Sequence, residues 1–249
     1  MFRGALLSLL CFALSVTAVG GAQAAGEPAL RVLVLDNAAP MSFRNEFGEL
    51  TGFSVEIARA VCGEMRVRCI FDVTTQNALL DTMSKGNADI AAVGFLETPE
   101  SRARLLFAKP YYRTISLWLA RSGVKPGQRG VKVAVVSGSV EEDYGRKQGW
   151  QLYAVKTNGE VGGPLVSGVA QAMLVPMISA LGLQKSEAFR RLDLATTVLR
   201  APELGGDASF GFSPNRPVLQ KEINTALDRI KRNGTYDRIN SRFLPFRVS

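Results

Sequence analysis

The chain has 249 residues, 30 Lys and Arg against 22 Asp and Glu for a formal net charge of +8, and no histidine. The absence of histidine excludes Ser-His-Asp and Cys-His catalytic devices and every His-ligated metal centre. A basic balance can serve nucleic acid or an anionic membrane, but here the basic residues are scattered, without Lys/Arg runs or interleaved aromatics, so neither partner is expected.

The chain opens Met1-Phe2-Arg3, runs through an apolar stretch at 5–14 and reaches Ala22-Gln23-Ala24. A basic start, a short apolar core and an Ala-x-Ala end describe a signal peptide over 1–24, cut after Ala24. The apolar core is shorter than the ~20 residues a spanning helix needs. The mature protein is therefore expected to be exported to the periplasm, and it is long enough for one large domain or two lobes. Cys11 leaves with the signal. Cys62 and Cys69 remain as an even pair in an oxidising compartment, which favours a disulfide, with a zinc site the poorer alternative.

Residues 30–35 form a nearly continuous apolar run, as in a buried parallel strand. Residues 43–52 read as a turn. From Ser54 a helix places Ile57, Ala58, Val61, Cys62 and Met65 on one stripe. A strand at 69–73, a short helix at 77–84 with Leu79, Leu80 and Met83 inward, and an apolar strand at 88–94 complete a βαβαβ order. That order predicts a parallel sheet flanked by helices. Thr98 is placed to cap a helix with Pro99 at its first position, and the helix should end before Pro110.

Residues 114–120 read as a crossing into a second unit. That unit has strands at 131–136, 152–155 and 172–175, a helix from about 177 to 183, and a helix entered at Ser139, where Ser139 and Glu142 make a capping-box pattern. Gly205, Gly206 and Gly211 mark a second crossing back. A long helix follows, with Val218, Ile223, Leu227 and Ile230 inward and Gly234 as its stop, and then a short last helix at 236–243.

Four segments, in this order and spacing, carry a resemblance: Gly48-Glu49-Leu50-Thr51-Gly52-Phe53, Lys85-Gly86-Asn87-Ala88-Asp89, Thr98 through Tyr112, and Arg232-Asn233-Gly234-Thr235-Tyr236. Over residues 30–246 the chain resembles the periplasmic solute-binding proteins that bind amino acids (family 3) for ABC importers. The resemblance implies an α/β two-lobe clamshell, each lobe a mostly parallel sheet flanked by helices, joined by two crossing segments. Lobe one would span 26–114 plus 210–249 and lobe two 115–209. Solute would sit in the cleft between them. It also implies a monomer without cofactor or metal that is not an enzyme, partnered by a small molecule and an importer permease. Several basic-amino-acid-binding relatives carry a disulfide at the place of Cys62 and Cys69.

In such relatives a zwitterion leaves water because both its charges find partners. Matched residue by residue, Ala38 stands at the aromatic cover, Gln76 at the second wall, and Leu96 at a usual hydroxyl. Ser101 stands at the carboxylate-binding arginine, Val140 at a lobe-two threonine, and Pro176 at the amine-binding aspartate. Arg102 follows one step after the arginine position and is turned ~100° away, so a solvated face is expected for it. Asp36 likewise reads as a strand-end turn residue rather than a contact. What remains is backbone: Gly94, and the helix starts at Thr98 and Ser139, which as positive dipole ends suit an anion. The leading expectation is a binding protein for a small anionic molecule other than an ordinary amino acid. An accessory partner of an exported dehydrogenase and a dehydratase-like enzyme on the same fold are the alternatives.

Overall fold

The computed structural model describes residues 29–248. The expected signal peptide lies outside them. In chain order the elements begin with strand β1 (Ala29–Leu35), the paired short strands β2 (Phe43–Arg44) and β3 (Leu50–Thr51), and helix α1 (Phe53–Met65). Next come β4 (Arg68–Thr74), α2 (Gln76–Ser84), β5 (Ile90–Leu96), α3 (Pro99–Arg104) and β6 (Leu106–Phe107). They continue with β7 (Tyr112–Ala120), β8 (Lys132–Val136), α4 (Val140–Lys147), β9 (Gln151–Val155), α5 (Gly163–Val166), β10 (Ala172–Pro176) and α6 (Met177–Leu183). The last are α7 (Glu187–Arg190), β11 (Ala195–Val198), β12 (Gly205–Phe212), α8 (Val218–Arg232) and α9 (Thr235–Phe243), with 3-10 turns at Asn158–Glu160 and Pro202–Leu204.

The strands run in the order β4-β1-β5-β12-β7-β10-β8-β9, with β6 beside β12 and β11 beside β7. Hydrogen bonding is continuous along this path because the two crossing strands pair with each other. Tyr112–Ile115 of β7 lie antiparallel to Gly205–Ala208 of β12. Beyond that pair the strands diverge: Ser116–Ala120 bond β10, and Ala208–Phe212 bond β5.

The packing divides where the hydrogen bonding does not. Phe53, Tyr111, Phe210, Ile223 and Tyr236 form a core on one face of the β4-β1-β5-β12 half. Leu33, Leu79, Met83 and Phe95 form another on its opposite face. Leu119, Val161, Leu165 and Met173 cover one face of the β10-β8-β9 half, and Trp118, Val133, Val135 and Leu174 the other. The period-two alternation of β7 sends Trp118 and Leu119 to opposite sides of that sheet. Two layered α/β lobes result, each with its own cores, and Ile178 of α6 is the lobe-two residue that packs into the core of lobe one.

Local sequence explains most elements. The α8 stripe Leu219, Ile223, Leu227 and Ile230 is buried at helical spacing, while Val218, expected inward, is 70% exposed at the helix start. Gly234 takes φ 75° just after α8, a left-handed stop that L residues resist. Thr98 Oγ1 accepts the Ser101 amide with Pro99 at the first helical position, as expected. The helix ends at Arg104 and β6 intervenes before Pro110. Cys62, on α1, and Cys69, on β4, form a disulfide, which removes both thiols from metal ligation. The glycine-marked return is a full strand, β12, and its crossing portion is Gly205–Ala208, earlier than Gly211.

Candidate functional site

Strand order explains where the site lies. In lobe one the chain leaves β1 through α1 to β4 on one side, then through α2 to β5 on the other side. In lobe two it leaves β8 through α4 to β9, then through α5 to β10 on β8's far side. Such reversals open a crevice at the carboxyl ends of the strands. Here the two crevices face each other across a cleft of about 1080 Å³. The carboxyl ends of β1 and β5 supply Leu35, Ala38, Gly94 and Leu96, and those of β8 and β10 supply Gly138, Ser139 and Pro176.

Three glycines of lobe two let the lobes meet. A Cβ on Gly182 would lie 2.2 Å from the Ala39 carbonyl oxygen, one on Gly138 2.5 Å from the Asn77 Cα, and one on Gly159 2.3 Å from the Asn37 side chain. The Gly159 amide donates to the Asn37 carbonyl at 2.8 Å, and Asn37 Nδ2 donates to Thr157 Oγ1 at 3.2 Å.

All nine residues singled out from sequence, Ala38, Gln76, Gly94, Leu96, Ser101, Arg102, Ser139, Val140 and Pro176, line this cleft. Asp36 does not; it is exposed past the end of β1, where its amide bonds the Thr74 carbonyl. Several expected roles are corrected. The Ser101 hydroxyl is buried and turned back on its own loop, donating to the Leu96 and Thr98 carbonyls. Arg102, expected on a solvated face, has a side chain 65% exposed and also pairs with Glu97 at 2.7 Å.

The expected amide cradle at Thr98 is also corrected. Pro99 has no N–H, the Ser101 amide goes to Thr98 Oγ1 and the Arg102 amide to the Thr98 carbonyl. Among the described residues this leaves only the Glu100 amide in the first turn. Gly94 has φ 70°, but the space over its Cα is filled: a Cβ there would sit 2.1 Å from the Tyr112 hydroxyl. Gly94 therefore makes room for Tyr112.

The Ser139 helix start is no better suited to an anion. Ser139 Oγ accepts the Glu142 amide at 3.1 Å, and Glu142 accepts the Gly138 amide at 2.7 Å instead of the Ser139 amide of a full capping box. Glu141, Glu142 and Asp143 already fill its first turn with negative charge, so the dipole's preference is met by the chain itself.

Sequence reasoning missed Glu141. It is 3% exposed, lines the cleft and accepts a hydrogen bond from Ser116 Oγ at 2.7 Å. Burial pushes its carboxyl above the ordinary range, opposed by bonds from Ser116, its own amide and Ser139. Burial, then the nearby Glu141, raise the Tyr112 hydroxyl. In sequence Glu141-Glu142-Asp143 is a run of three acids at a helix start; the packing of α4 against β8, β9 and the 3-10 turn at Pro202–Leu204, and the bond from Ser116, are not legible there. Elsewhere in the cleft Arg104 bonds Asp81 at 2.6 Å and holds that carboxyl below its usual range. Among the described residues no cluster of three or more His, Cys, Asp or Glu could hold a metal ion, and no helix is long and apolar enough to cross a membrane.

A two-lobed α/β molecule with one cleft built from both lobes and hinged on two paired strands defines the class of clamshell solute-binding proteins. The chain belongs to the bacterial extracellular solute-binding proteins, family 3, whose model matches residues 30–246. It is 24% identical over 221 residues to the lysine/arginine/ornithine-binding periplasmic protein of Escherichia coli, covering 84% of this chain and 85% of that one. It is 27% identical over 213 residues to the arginine-binding periplasmic protein of Mannheimia haemolytica, covering 82% and 86%. Among solved structures it is similar to an ancestral amino acid-binding protein described as a precursor of cyclohexadienyl dehydratase. The TM-score is 0.76 at 25% identity, over 87% of this chain and 95% of that one.

Proposed function

We propose that this protein is exported, binds a small solute between its lobes as a monomer without catalysing a reaction, and delivers it to an ABC importer. The solute is not an ordinary α-amino acid. Relatives named for basic amino acids and an Escherichia coli relative named as an ABC transporter arginine-binding protein support the transport role. The lobe limits we propose follow the sequence division at 114/115, with the return placed in Gly205–Ala208, where β12 leaves β7 for β5.

The observation that carries the ligand reading is the pair Ser101 and Pro176. The first has a buried hydroxyl bonded to its own loop, and the second is the uncharged residue preceding α6. A zwitterion brought to these positions would find no opposite charge on either Ser101 or Pro176. Each lost charge-assisted contact is worth about 1.5–3 kcal/mol, so two losses turn a micromolar site into one near millimolar. Calorimetric titration of the mature protein with each proteinogenic amino acid is the test. Heats indicating millimolar or weaker binding are expected, and one micromolar binder among them overturns the reading.

A further inference from the structure

We propose that Glu141 is the docking point for a cationic group, an ammonium or guanidinium, of the solute. The inference rests on the solute-binding reading of the cleft and names what that cleft recognises.

Three observations carry it. First, the Glu141 carboxyl is almost fully buried in the wall of the cleft, its polar neighbours hydroxyls and an amide. None of the ion pairs among the described residues includes it. A buried carboxylate without a counter-charge is costly and gains most from a cation that reaches it.

Second, its place is informative. Ser116, which donates to Glu141, pairs directly with Pro176 across β7 and β10. A carboxyl supplied by α4 thus lies beside the strand position where Pro176 offers no charge.

Third, the charges lining the rest of the cleft lean toward a cation, Lys147 being the one basic residue there without an ion pair among the described residues. Arg102 and Arg104 are held by Glu97 and Asp81, while Glu100, Asp143 and Glu203 line the cleft with no ion pair among the described residues.

Titratable and charged groups stand on the helix that carries Glu141, on β7 and on the elements packed against that helix. On its own helix are Glu142 (paired with Arg146), Asp143, Tyr144 and Lys147. On β7 are Tyr112 and Arg113, the latter paired with Asp207. The other elements packed on α4 bring Lys132 from β8, Tyr153 from β9 and Glu203 from the adjoining 3-10 turn. Burial raises the carboxyl, so a cation should bind more tightly as pH rises and Glu141 ionises.

The test is calorimetry and thermal shift of the mature protein with agmatine, choline, arginine and succinate, across a pH series. At least one of the three cations should bind. Glu141→Gln, which keeps the shape and removes the charge, should weaken that binding roughly tenfold to a hundredfold and flatten its pH dependence. Ser116→Ala keeps the carboxylate but removes a bond that favours its ionised form. It should weaken binding less and move the midpoint of the pH curve upward. Circular dichroism and the melting profile establish that both variants fold. If succinate binds and no cation does, or if a cation binds equally to Glu141→Gln, the inference fails while the cleft remains a solute site. If none of the four binds, both this inference and the reading beneath it fail. Micromolar arginine binding lost in Glu141→Gln overturns the exclusion of amino acids and supports the role of Glu141.

Discussion

The two walls of the cleft use the same device, a strand running into a capped helix, to opposite ends. In lobe one the turn from β5 into α3 closes on itself: Thr98 takes the Ser101 amide, Ser101 returns to the loop carbonyls, and Arg102 is tied to Glu97. In lobe two the turn from β8 into α4 is capped as well, by Ser139 and Glu142, yet it leaves Glu141 buried at the cleft without a counter-charge. A helix start binds a ligand only if its polar groups are not already satisfied from within. One wall is finished by the chain; the other is left for a solute to complete.

The largest test of this contrast concerns the cores behind the walls. Phe53 is fully buried among Tyr111, Tyr112 and Tyr236 in lobe one. Phe53→Ala should cost about 3–5 kcal/mol. Because only Ile178 of α6 joins the lobe-one core from lobe two, the loss should appear as an early unfolding step in urea that leaves the Trp118–Trp150 fluorescence of lobe two unchanged. One concerted transition reported equally by the tryptophans would show that the lobes unfold as a unit. Next in size is the disulfide of lobe one. Replacing Cys62 and Cys69 by Ser should cost roughly 2–3 kcal/mol by the chain-entropy account, again in the lobe-one step. Two free thiols in the oxidised wild-type protein by mass spectrometry would break the premise.

The same contrast marks what the sequence made legible. Periodicity and caps were enough for β1, α1, α2, α8, the Thr98 cap and the cysteine pair, because each depends on residues close in the chain. Six of the nine cleft residues were found by matching a family pattern, Gly94 and Ser139 by the backbone at a strand end and a helix start, and Arg102 as the arginine one step past the matched position; all nine line the cleft. Side-chain direction was harder. Ser101, Gly94 and the Thr98 amides looked available because their competitors, the Leu96 carbonyl and the Tyr112 ring, come from turns and packing that local sequence does not encode. Glu141 was invisible for the converse reason. Three consecutive acids suit a helix start in water, whereas its burial comes with the packing of α4 on β8, β9 and the 3-10 turn, and its bond from Ser116, 25 residues earlier on a strand that crosses between lobes. The short β11, α5 and α7 were missed because four-residue elements carry too little pattern.

Capping gives a smaller comparison. Thr98→Ala and Ser139→Ala each remove one side-chain acceptor and should each cost about 1 kcal/mol. Only Ser139→Ala should alter the titration of Glu141, because Ser139 contributes to lowering that carboxyl while burial raises it. The sign is definite: a carboxyl raised in the folded state adds stability at acid pH that is lost as pH rises through its folded value. Ser139→Ala should therefore steepen the decline in stability above the ordinary carboxylate range, and Thr98→Ala should leave it unchanged. Unfolding free energies measured across pH for the two variants would decide; parallel curves would mean that Glu141 does not titrate in this range.

The smallest expected effect is at Arg102, where the two walls are most easily confused. Its guanidinium meets Glu97 at 2.7 Å, but the arginine side chain is 65% exposed, and exposed pairs contribute about 0–1 kcal/mol because solvent screens them and ordering long side chains costs entropy. Glu97 keeps a second partner in Ser209, whose hydroxyl donates at 3.1 Å, so its carboxylate is not stranded when the arginine is removed. Arg102→Ala should lower stability by less than about 1 kcal/mol, an effect that salt erases, and should change solute affinity only a few-fold. A loss of binding in Arg102→Ala comparable to that in Glu141→Gln would mean that the arginine leaves Glu97 to hold an acidic group of the solute. The lobe-one wall would then not be self-satisfied, and an ordinary amino acid, gripped by Arg102 at one end and Glu141 at the other, would become the better account of the ligand.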